Sequence, residues 1–324
     1  MNNKIIFIDL FAGCGGIAEG FCGAGMDCVA ANEFDENAAI TYRCNFYHPL
    51  VVGDITCTEI KQQLYDLAGK NEVDVVVGGF PCQGFSMSGK RVLDDPRNKL
   101  FLEFVEIVRV IRPKVVVGEN VEGILTMGKG KVVESIIEEF SKLDYKMEYK
   151  LLNAADYGVP QLRKRVIFIG NRIGVENIFP EPVLTPGNYM TVKDAIGDLV
   201  GHAHDKKLSH LIAASRPKTL QRMKEMKEGE SFYTTRNDSC RKMFWNRPAP
   251  TVKGNHGNWG VHPVENRYFT PREMARLQSF PDDFDFSHVA KGRQYIQIGN
   301  AVPPLMARHI AESVISMIDS KKMP

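Results

Sequence analysis

The first half of the chain alternates short apolar runs with segments whose apolar residues recur at helical spacing. The apolar runs are rich in β-branched residues, which predicts buried strands of a parallel sheet. The predicted strands cover residues 5–10, 28–32, 73–78, 114–118 and 165–170. The predicted helices cover residues 17–24, 36–45, 100–111 and 131–142. This alternation predicts an α/β fold, in which a mostly parallel sheet has helices on both faces.

The pattern changes after residue 170. Residues 171–190 contain three prolines and two glycines without a clear period, which is typical of a linker. Residues 191–270 mix short helical patches with loops rich in glycine, asparagine and histidine. A regular secondary-structure pattern returns at residue 270, where Thr270 and Pro271 suit the start of a helix. A last helix is expected after Pro304, to about residue 318.

Composition indicates a globular protein, with 44% hydrophobic and 25% charged residues in a chain of 324. Apolar runs stay far below the roughly 20 residues that a membrane-spanning helix needs, so we expect no membrane partner. The apolar stretch 5–8 ends at Asp9, which is not typical of a signal peptide. Seven cysteines without a CxxC pair favour reduced thiols. We therefore expect a cytoplasmic protein.

A net charge of +2 hides an asymmetry along the chain. Residues 202–247 hold eleven Lys/Arg against five Asp/Glu, a local charge of +6, so the rest of the chain carries −4. A basic segment within a mildly acidic chain favours a polyanionic partner. A solvated lysine-rich surface would explain the same charges.

A glycine-rich turn follows the first predicted strand and precedes a helix. It consists of Phe11, Ala12, Gly13, Cys14, Gly15 and Gly16. Glu33 follows Gly13 by 20 residues, a spacing that suits a carboxylate accepting hydrogen bonds from ribose hydroxyls. Asp54, after a third short strand, could receive the base. These residues predict a nucleoside cofactor, without separating a dinucleotide from S-adenosylmethionine, and a plain structural turn is the simpler alternative.

Cys82 lies in a proline- and glycine-flanked loop after the strand 73–78, at the edge of the sheet where ligands bind. A nucleophilic role requires activation, because a free thiol has a pKa of about 8.5. Glu119 follows the next strand, and the two side chains open into one cleft if these strands are neighbours. A pyrimidine accepts a nucleophile at carbon 6 when an acid protonates ring nitrogen 3, which Glu119 could do. The alternative for Cys82 is a small buried thiol, and the alternatives for Glu119 are a helix-capping carboxylate and a second cofactor contact.

Two arginines, Arg163 and Arg165, stand just before the last predicted strand of the first half. Guanidinium groups bind carboxylates and phosphates through paired hydrogen bonds. The pair could therefore hold a target nucleotide or order the catalytic loop, and a solvated basic turn is the alternative.

Together the motifs resemble one family, the DNA (cytosine-5)-methyltransferases of bacterial restriction–modification type. The resemblance covers nearly the whole chain. It rests on the Phe-x-Gly-x-Gly-Gly turn, Pro81-Cys82, Glu119-Asn120-Val121, Gln161-x-Arg163-x-Arg165, the element Arg247-Pro248-Ala249-Pro250-Thr251-Val252, and Gln297-Ile298-Gly299-Asn300-Ala301-Val302-Pro303, all in the family's order.

The resemblance implies an S-adenosylmethionine-dependent fold, with S-adenosylhomocysteine as product and no metal. It assigns the cofactor to Phe11, Ala12, Gly13, Cys14, Gly15, Gly16, Glu33, Phe34, Asp54, Ile55, Pro81, Leu100, Asn300 and Val302. Cys82 would attack carbon 6 of cytosine and Glu119 would assist at nitrogen 3. Arg165 would steady the base, with Arg163 beside it. A cytosine within a duplex must be flipped out to reach such a site.

The resemblance also implies two domains and a DNA partner. Residues 1–175 and 271–324 would form the catalytic domain, with the last helix packed back on the first part, and 176–270 the target-recognition domain. The expected DNA contacts are Gln83, Ser86, Arg97, Arg236, Arg241, Thr251, Asn255, His256 and Asn258. We expect a bacterial or archaeal monomer that acts on double-stranded DNA, with a separately acting restriction endonuclease as a further partner.

Three rival functions remain. A transfer-RNA cytosine methyltransferase would share the chemistry, but its family carries a Cys-Phe-Thr element in the variable region that this chain lacks. A nicotinamide-dependent oxidoreductase would leave Cys82 and Glu119 without a task. A non-catalytic DNA-binding regulator would not need them either. His202, His204 and His210 have no partner cysteines, so we do not expect a metal site there.

Overall fold

The computed structural model describes residues 4–69, 72–81, 99–233, 240–254, 257 and 259–321. The strands are β1 (Ile6–Leu10), β2 (Asp27–Glu33), β3 (Leu50–Val52), β4 (Val75–Gly78), β5 (Val115–Val121), β6 (Lys146–Asn153), β7 (Gln161–Leu162), β8 (Lys164–Asn171), β9 (Arg241–Lys242), β10 (Ala249–Pro250) and β11 (Gly260–Val261). The helices are α1 (Gly16–Gly23), α2 (Glu36–Asn45), α3 (Thr58–Ala68), α4 (Lys99–Ile111), α5 (Lys131–Ser141), α6 (Val192–Ile196), α7 (Pro217–Glu225), α8 (Pro271–Leu277), α9 (Lys291–Asn300) and α10 (Pro304–Ser320).

Seven strands form one sheet in the order β3-β2-β1-β4-β5-β8-β6. The first five run parallel, whereas β8 is antiparallel to both of its neighbours. The predicted α/β fold with a mostly parallel sheet is therefore confirmed. The reversal of β8 has a consequence for the site, since it brings the amino end of that strand to the carboxyl edge of the other strands. Arg165 consequently pairs with Val121.

Two elements of this sheet region were not predicted. Strand β6 forms the sheet edge, and several of its side chains are exposed, so it lacks a continuous apolar run. Helix α3 buries only Leu64 and Ala68 of its eleven residues, and its polar character hides it from an apolar pattern.

Hydrophobic clusters cover both faces of the sheet. On one face, Phe104 and Phe140 of α4 and α5 pack with residues such as Val76. On the other face, α1 and α10 pack over Phe7 and its neighbours. The two helices approach closely at Gly20, where a Cβ atom would lie 2.4 Å from the Pro304 carbonyl oxygen. The last helix thus packs against the first helix of the chain.

A third cluster joins the middle of the chain to its C-terminal helices. Val192 and Trp259 pack there with Phe269, Leu277 and Ile298. The domain boundaries at residues 176 and 270 stay a prediction. Among the described helices, none combines the length and the apolar character that crossing a bilayer requires.

Candidate active site

A cavity of about 650 Å³ lies at the carboxyl edge of the parallel strands. Most of the predicted cofactor residues line it. They are Phe11, Ala12, Gly13, Gly16, Glu33, Phe34, Asp54, Ile55, Pro81, Leu100, Asn300 and Val302. The cavity also contains Glu119, Arg163 and Arg165, so the structure brings most of the predicted cofactor residues and three of the four predicted catalytic residues to one place.

Cys14 and Gly15 belong to the same turn but do not line the cavity. The buried Cys14 thiol lies 3.7 Å from the Gln297 carbonyl oxygen, and burial raises its pKa to about 12. Gly15 precedes α1 with φ +102°, and a Cβ atom there would lie 2.3 Å from the ring of Phe46. These two residues therefore shape the turn from its buried side.

Glu33 holds the glycine turn in place. Its two carboxylate oxygens accept backbone N–H hydrogen bonds from Gly13 and from Asp35, each at 2.7 Å. Each carboxylate oxygen keeps a second lone pair for a hydroxyl donor. The geometry therefore suits the ribose contact that the 20-residue spacing predicts.

The end of β3 is fixed by Asn32, which sequence reasoning did not single out. Its buried side-chain amide donates to the carbonyl oxygens of Val51 and Gly53, at 3.0 and 3.1 Å. Asp54, which follows Gly53, accepts a hydrogen bond from the Thr56 N–H at 2.9 Å and lines the cavity. Phe34 is 71% exposed and presents an aromatic face at the same cavity.

Glu119 and Arg165 form an ion pair, with the Arg165 Nε atom 2.8 Å from a Glu119 carboxylate oxygen. Both side chains are mostly buried, at 14% and 13% exposure. The other Glu119 oxygen faces the backbone of Gly79, where a Cβ atom would lie 3.0 Å away. Pro81, two residues further on, also lines the cavity. The pair thus faces the segment that leads directly into Cys82.

Cys82 itself lies outside the described residues. The same holds for seven of the predicted DNA contacts, which are Gln83, Ser86, Arg97, Arg236, Asn255, His256 and Asn258. Of the remaining two, Arg241 is exposed on β9. The Thr251 hydroxyl donates to the Leu162 carbonyl oxygen at 2.8 Å, which joins the segment after β10 to β7.

Arg163 is buried and bound to three backbone carbonyls. It donates to Val252, Gly299 and Ala301 at 3.0, 3.2 and 2.9 Å. Burial lowers the pKa of its guanidinium to about 9, which leaves the group cationic near neutral pH. Arg163 thus ties the strand that carries Arg165 to the cavity wall that carries Asn300.

Asn120 anchors the other side of the site. Its side-chain amide donates to the Phe80 carbonyl oxygen at 2.9 Å, two residues before Cys82. Asn120 belongs to the Glu119-Asn120-Val121 motif, so the sequence could have indicated that its side chain holds the segment before Cys82.

The role of Gln278 was not predicted from the sequence. Gln161 donates to its side-chain oxygen at 2.7 Å, and Gln278 donates to the Ile298 carbonyl oxygen at 2.6 Å. Both glutamines are fully buried. No local pattern indicates that Gln278, at the end of α8, joins two distant motifs.

A buried cluster of histidine and carboxylates lies away from the cavity. His262, Glu265 and Glu273 approach closely enough to suit a metal ion. However, Arg267 already donates to Glu273 at 2.6 and 2.8 Å and also binds Glu265. A guanidinium thus supplies the positive charge that these carboxylates need. His210 is buried nearby, with Nδ1 3.1 Å from the Thr270 hydroxyl.

Comparison with known proteins agrees with this geometry. A model of the C-5 cytosine-specific DNA methylase family matches residues 5–316. Type II methyltransferase M1.HphI of Haemophilus parahaemolyticus is 42% identical, over 97% of this chain and 87% of its own. Type II methyltransferase M.NgoFVII of Neisseria gonorrhoeae is 36% identical, with the same coverage.

A crystal structure gives the same result. A prophage-encoded E. coli protein, described as a DNA modification methyltransferase, superposes with a TM-score of 0.80 at 26% identity. The match covers 98% of this chain and all of that one. With its cavity, ordered motifs and relatives, the chain belongs to the C-5 cytosine-specific DNA methylase family.

Proposed function

We propose that the protein transfers a methyl group from S-adenosylmethionine to carbon 5 of a cytosine in a short, specific duplex DNA site. The observation that carries the proposal is the Glu119–Arg165 pair, which faces the segment before Cys82 within the cofactor cavity. The Type II methyltransferases among its relatives support a role in protecting DNA within a restriction–modification system.

The residues of the cavity fit S-adenosylmethionine. A volume of about 650 Å³ is in the usual range for ligand sites. Glu33 and Asp54 offer acceptors for ribose hydroxyls and for an exocyclic amine, and Phe34 offers a ring face for stacking. When bound, S-adenosylmethionine supplies an electrophilic methyl group on a positively charged sulfur.

The chain's own residues would perform the remaining chemistry. The Cys82 thiolate forms a bond to carbon 6, and the displaced ring electrons are stabilised where Glu119 shares a proton with nitrogen 3. Carbon 5 thereby becomes the nucleophile toward the methyl group. Loss of the carbon-5 proton then expels the Cys82 thiolate and restores the ring. Arg165 orients the Glu119 carboxyl group throughout.

We infer that Arg163 acts as a positioning residue, since both of its terminal nitrogens donate to backbone carbonyls. The segment 176–270 would recognise the target, with residues 229–241 and 254–260 as candidate base-reading loops. A monomer, a separately acting endonuclease and a bacterial or archaeal cytoplasm stay predictions.

The proposal is tested with purified protein, S-adenosylmethionine and unmethylated plasmid, followed by sequencing for 5-methylcytosine. Transfer RNA is the parallel substrate. We expect methylation of DNA at one short recurring sequence. Labelling of RNA alone would keep the chemistry but contradict the substrate, and labelling of neither would favour a regulator that only binds DNA.

A further inference from the structure

Two segments of the cavity wall lie at the beginnings of neighbouring helices. Asp54 and Ile55 line the cavity shortly before α3, and Leu100 lines it in the first turn of α4. The sequence pattern offers Asp54 as the residue that receives the base of the cofactor. The spacing between the start of α3 and the start of α4 therefore sets the width of the cavity on this side.

An ion pair joins these two helices one turn away from the cavity. The Lys61 Nζ atom lies 2.5 Å from a Glu103 carboxylate oxygen. The two side chains are only 18% and 13% exposed, so water and salt screen this pair less than they screen an ordinary surface pair. Glu103 stands three residues after Leu100 and hence one turn along the same face of α4.

Lys61 is connected to Asp54 through the backbone. The Lys61 N–H donates to the Cys57 carbonyl oxygen at 3.2 Å, and the Cys57 N–H donates to the Asp54 carbonyl oxygen at 2.9 Å. The Asp54 carboxylate accepts from the Thr56 N–H within the same loop. A displacement of the first turn of α3 would therefore move Asp54 with it.

The first half of α3 has little apolar anchoring. The buried residues of this helix, Leu64 and Ala68, lie in its second half. In the first half, Ile60 packs on Gly53, where a Cβ atom would lie 2.5 Å from the Ile60 side chain. That contact holds the helix to the loop before it. The bond between Lys61 and α4 thus matters most at the end of α3 that carries Asp54.

We propose that Lys61 and Glu103 are positioning residues for the cofactor, which set the distance between Asp54 and Leu100 on either side of its base. The inference rests on the proposed function, because it takes S-adenosylmethionine as the ligand of the cavity. Neither side chain lines the cavity, so the pair acts through the helices that carry the two walls. A ligand held between two walls binds more tightly when their spacing is set before it arrives.

Calorimetric titration with S-adenosylhomocysteine tests this role. Lys61→Met and Glu103→Gln should each raise the Kd about tenfold, an effect of the size that coupled neighbouring groups show. The double variant should bind no more weakly than either single variant, because each substitution already breaks the same bond. In methylation assays the KM for S-adenosylmethionine should rise by the same factor, with a smaller change in kcat.

The exchanged pair, Lys61→Glu with Glu103→Lys, rebuilds the bond with its charges reversed. Its Kd should return to within about threefold of that of the unsubstituted protein. If the single variants do not fold, the exchanged pair decides the question, and a Kd raised tenfold in it would overturn the proposal.

Arg109→Gln is the matched control, since Arg109 pairs with Glu106 further along α4, on the surface, and does not line the cavity. Its Kd should equal that of the unsubstituted protein. Unchanged affinity in both single variants, with folding confirmed by circular dichroism, would overturn the proposal. Additive losses in the double variant would also overturn it, because the two residues would then act separately. Failure of the unsubstituted protein to bind S-adenosylhomocysteine would instead reject the proposed function.

Discussion

The candidate active-site cavity and a groove on the other side of β7 differ in how they arrange charge. The cavity mixes four carboxylates, from Glu33, Asp35, Asp54 and Glu119, with three arginines. The groove, which is lined by Leu162 of β7 and by parts of residues 186–191 and 241–253, has four cations and, among its described residues, no carboxylate. Mixed charge suits a small ligand that carries both signs, whereas charge of one sign suits a polyanion. The difference teaches that cavities on either side of the short strand β7 have opposite charge arrangements.

Buried polar contacts lie where β7 meets the segment after β10. Gln161 accepts from the Val252 N–H at 2.7 Å and donates to Gln278, while Arg163 holds Val252 and the wall around Asn300. Buried, fully paired amides are costly to break, because a lost partner leaves a desolvated polar group. These bonds therefore hold β7, the segment after β10 and the wall around Asn300 together.

The largest effect is expected at Glu119. Glu119→Gln retains a side chain that can bind Arg165 but cannot supply a proton to the base, so kcat should fall by about 10²- to 10⁴-fold. Binding of S-adenosylhomocysteine should change little. Glu122→Gln is the control, since Glu122 follows the same strand but its carboxylate is about half exposed and pairs with Lys164. A Glu119→Gln variant with normal turnover would remove Glu119 from the chemistry.

A smaller effect is expected at Glu33, which distinguishes the cavity from the groove. Glu33→Gln removes a charged acceptor at the glycine turn, and charged hydrogen bonds contribute about 1.5–3 kcal/mol. Calorimetry should show binding of S-adenosylhomocysteine weakened about 10- to 100-fold. The dependence of DNA binding on salt concentration should stay unchanged.

Glu36→Gln serves as the control for that measurement. Glu36 begins α2, is exposed and does not line the cavity. Equal affinities of the Glu33 variant and this control would contradict the ribose assignment.

The effect that is smallest per pH unit concerns stability, away from both sites. Burial lowers the pKa of His262 to about 4, so the folded protein keeps it neutral, whereas the unfolded chain titrates near 6.5. As the pH falls from 6.5 toward 4, the unfolded state binds a proton that the folded state does not. His262 should therefore lower the free energy of unfolding by roughly 1.4 kcal/mol per pH unit in that window.

Urea unfolding across this pH range checks the expectation. His262→Asn keeps an acceptor for the N–H groups of Val264 and Glu265, which the ring now serves through Nδ1. This variant should show a shallower pH dependence than the unsubstituted protein. The exposed His204→Asn should not. An unchanged dependence in the His262 variant would contradict a neutral buried ring.

The sequence predicted the parts of the site that follow buried parallel strands. Glu33 and Pro81 lie at the carboxyl ends of such strands, and the topology of parallel sheets alone places those ends at one edge. The family resemblance placed Arg165 at the same base as Glu119, but the strand pattern alone did not, because their proximity depends on β8 running antiparallel, and an apolar run does not encode its direction. Gln278 was missed since its partners are distant in sequence.

The orientation of the Cys14 side chain could not be predicted from the sequence, for a different reason. Neighbouring residues of a tight turn can face opposite ways, and the sequence of the turn does not reveal which residue faces the ligand. The structure places Gly13 on the cavity and the Cys14 thiol in the core. A family motif thus identifies a turn more surely than it identifies the contacts of each residue in it.

The central claim is that Cys82 forms a covalent bond to cytosine, and the most direct test is to trap that bond. Duplex DNA with 5-fluorocytosine at the target position allows addition and methyl transfer but blocks the final elimination, since fluorine cannot leave as a cation. We predict a stable protein–DNA adduct that requires S-adenosylmethionine and that mass spectrometry locates on Cys82. An adduct that persists in Cys82→Ala, or its absence from an actively methylating protein, would contradict the account.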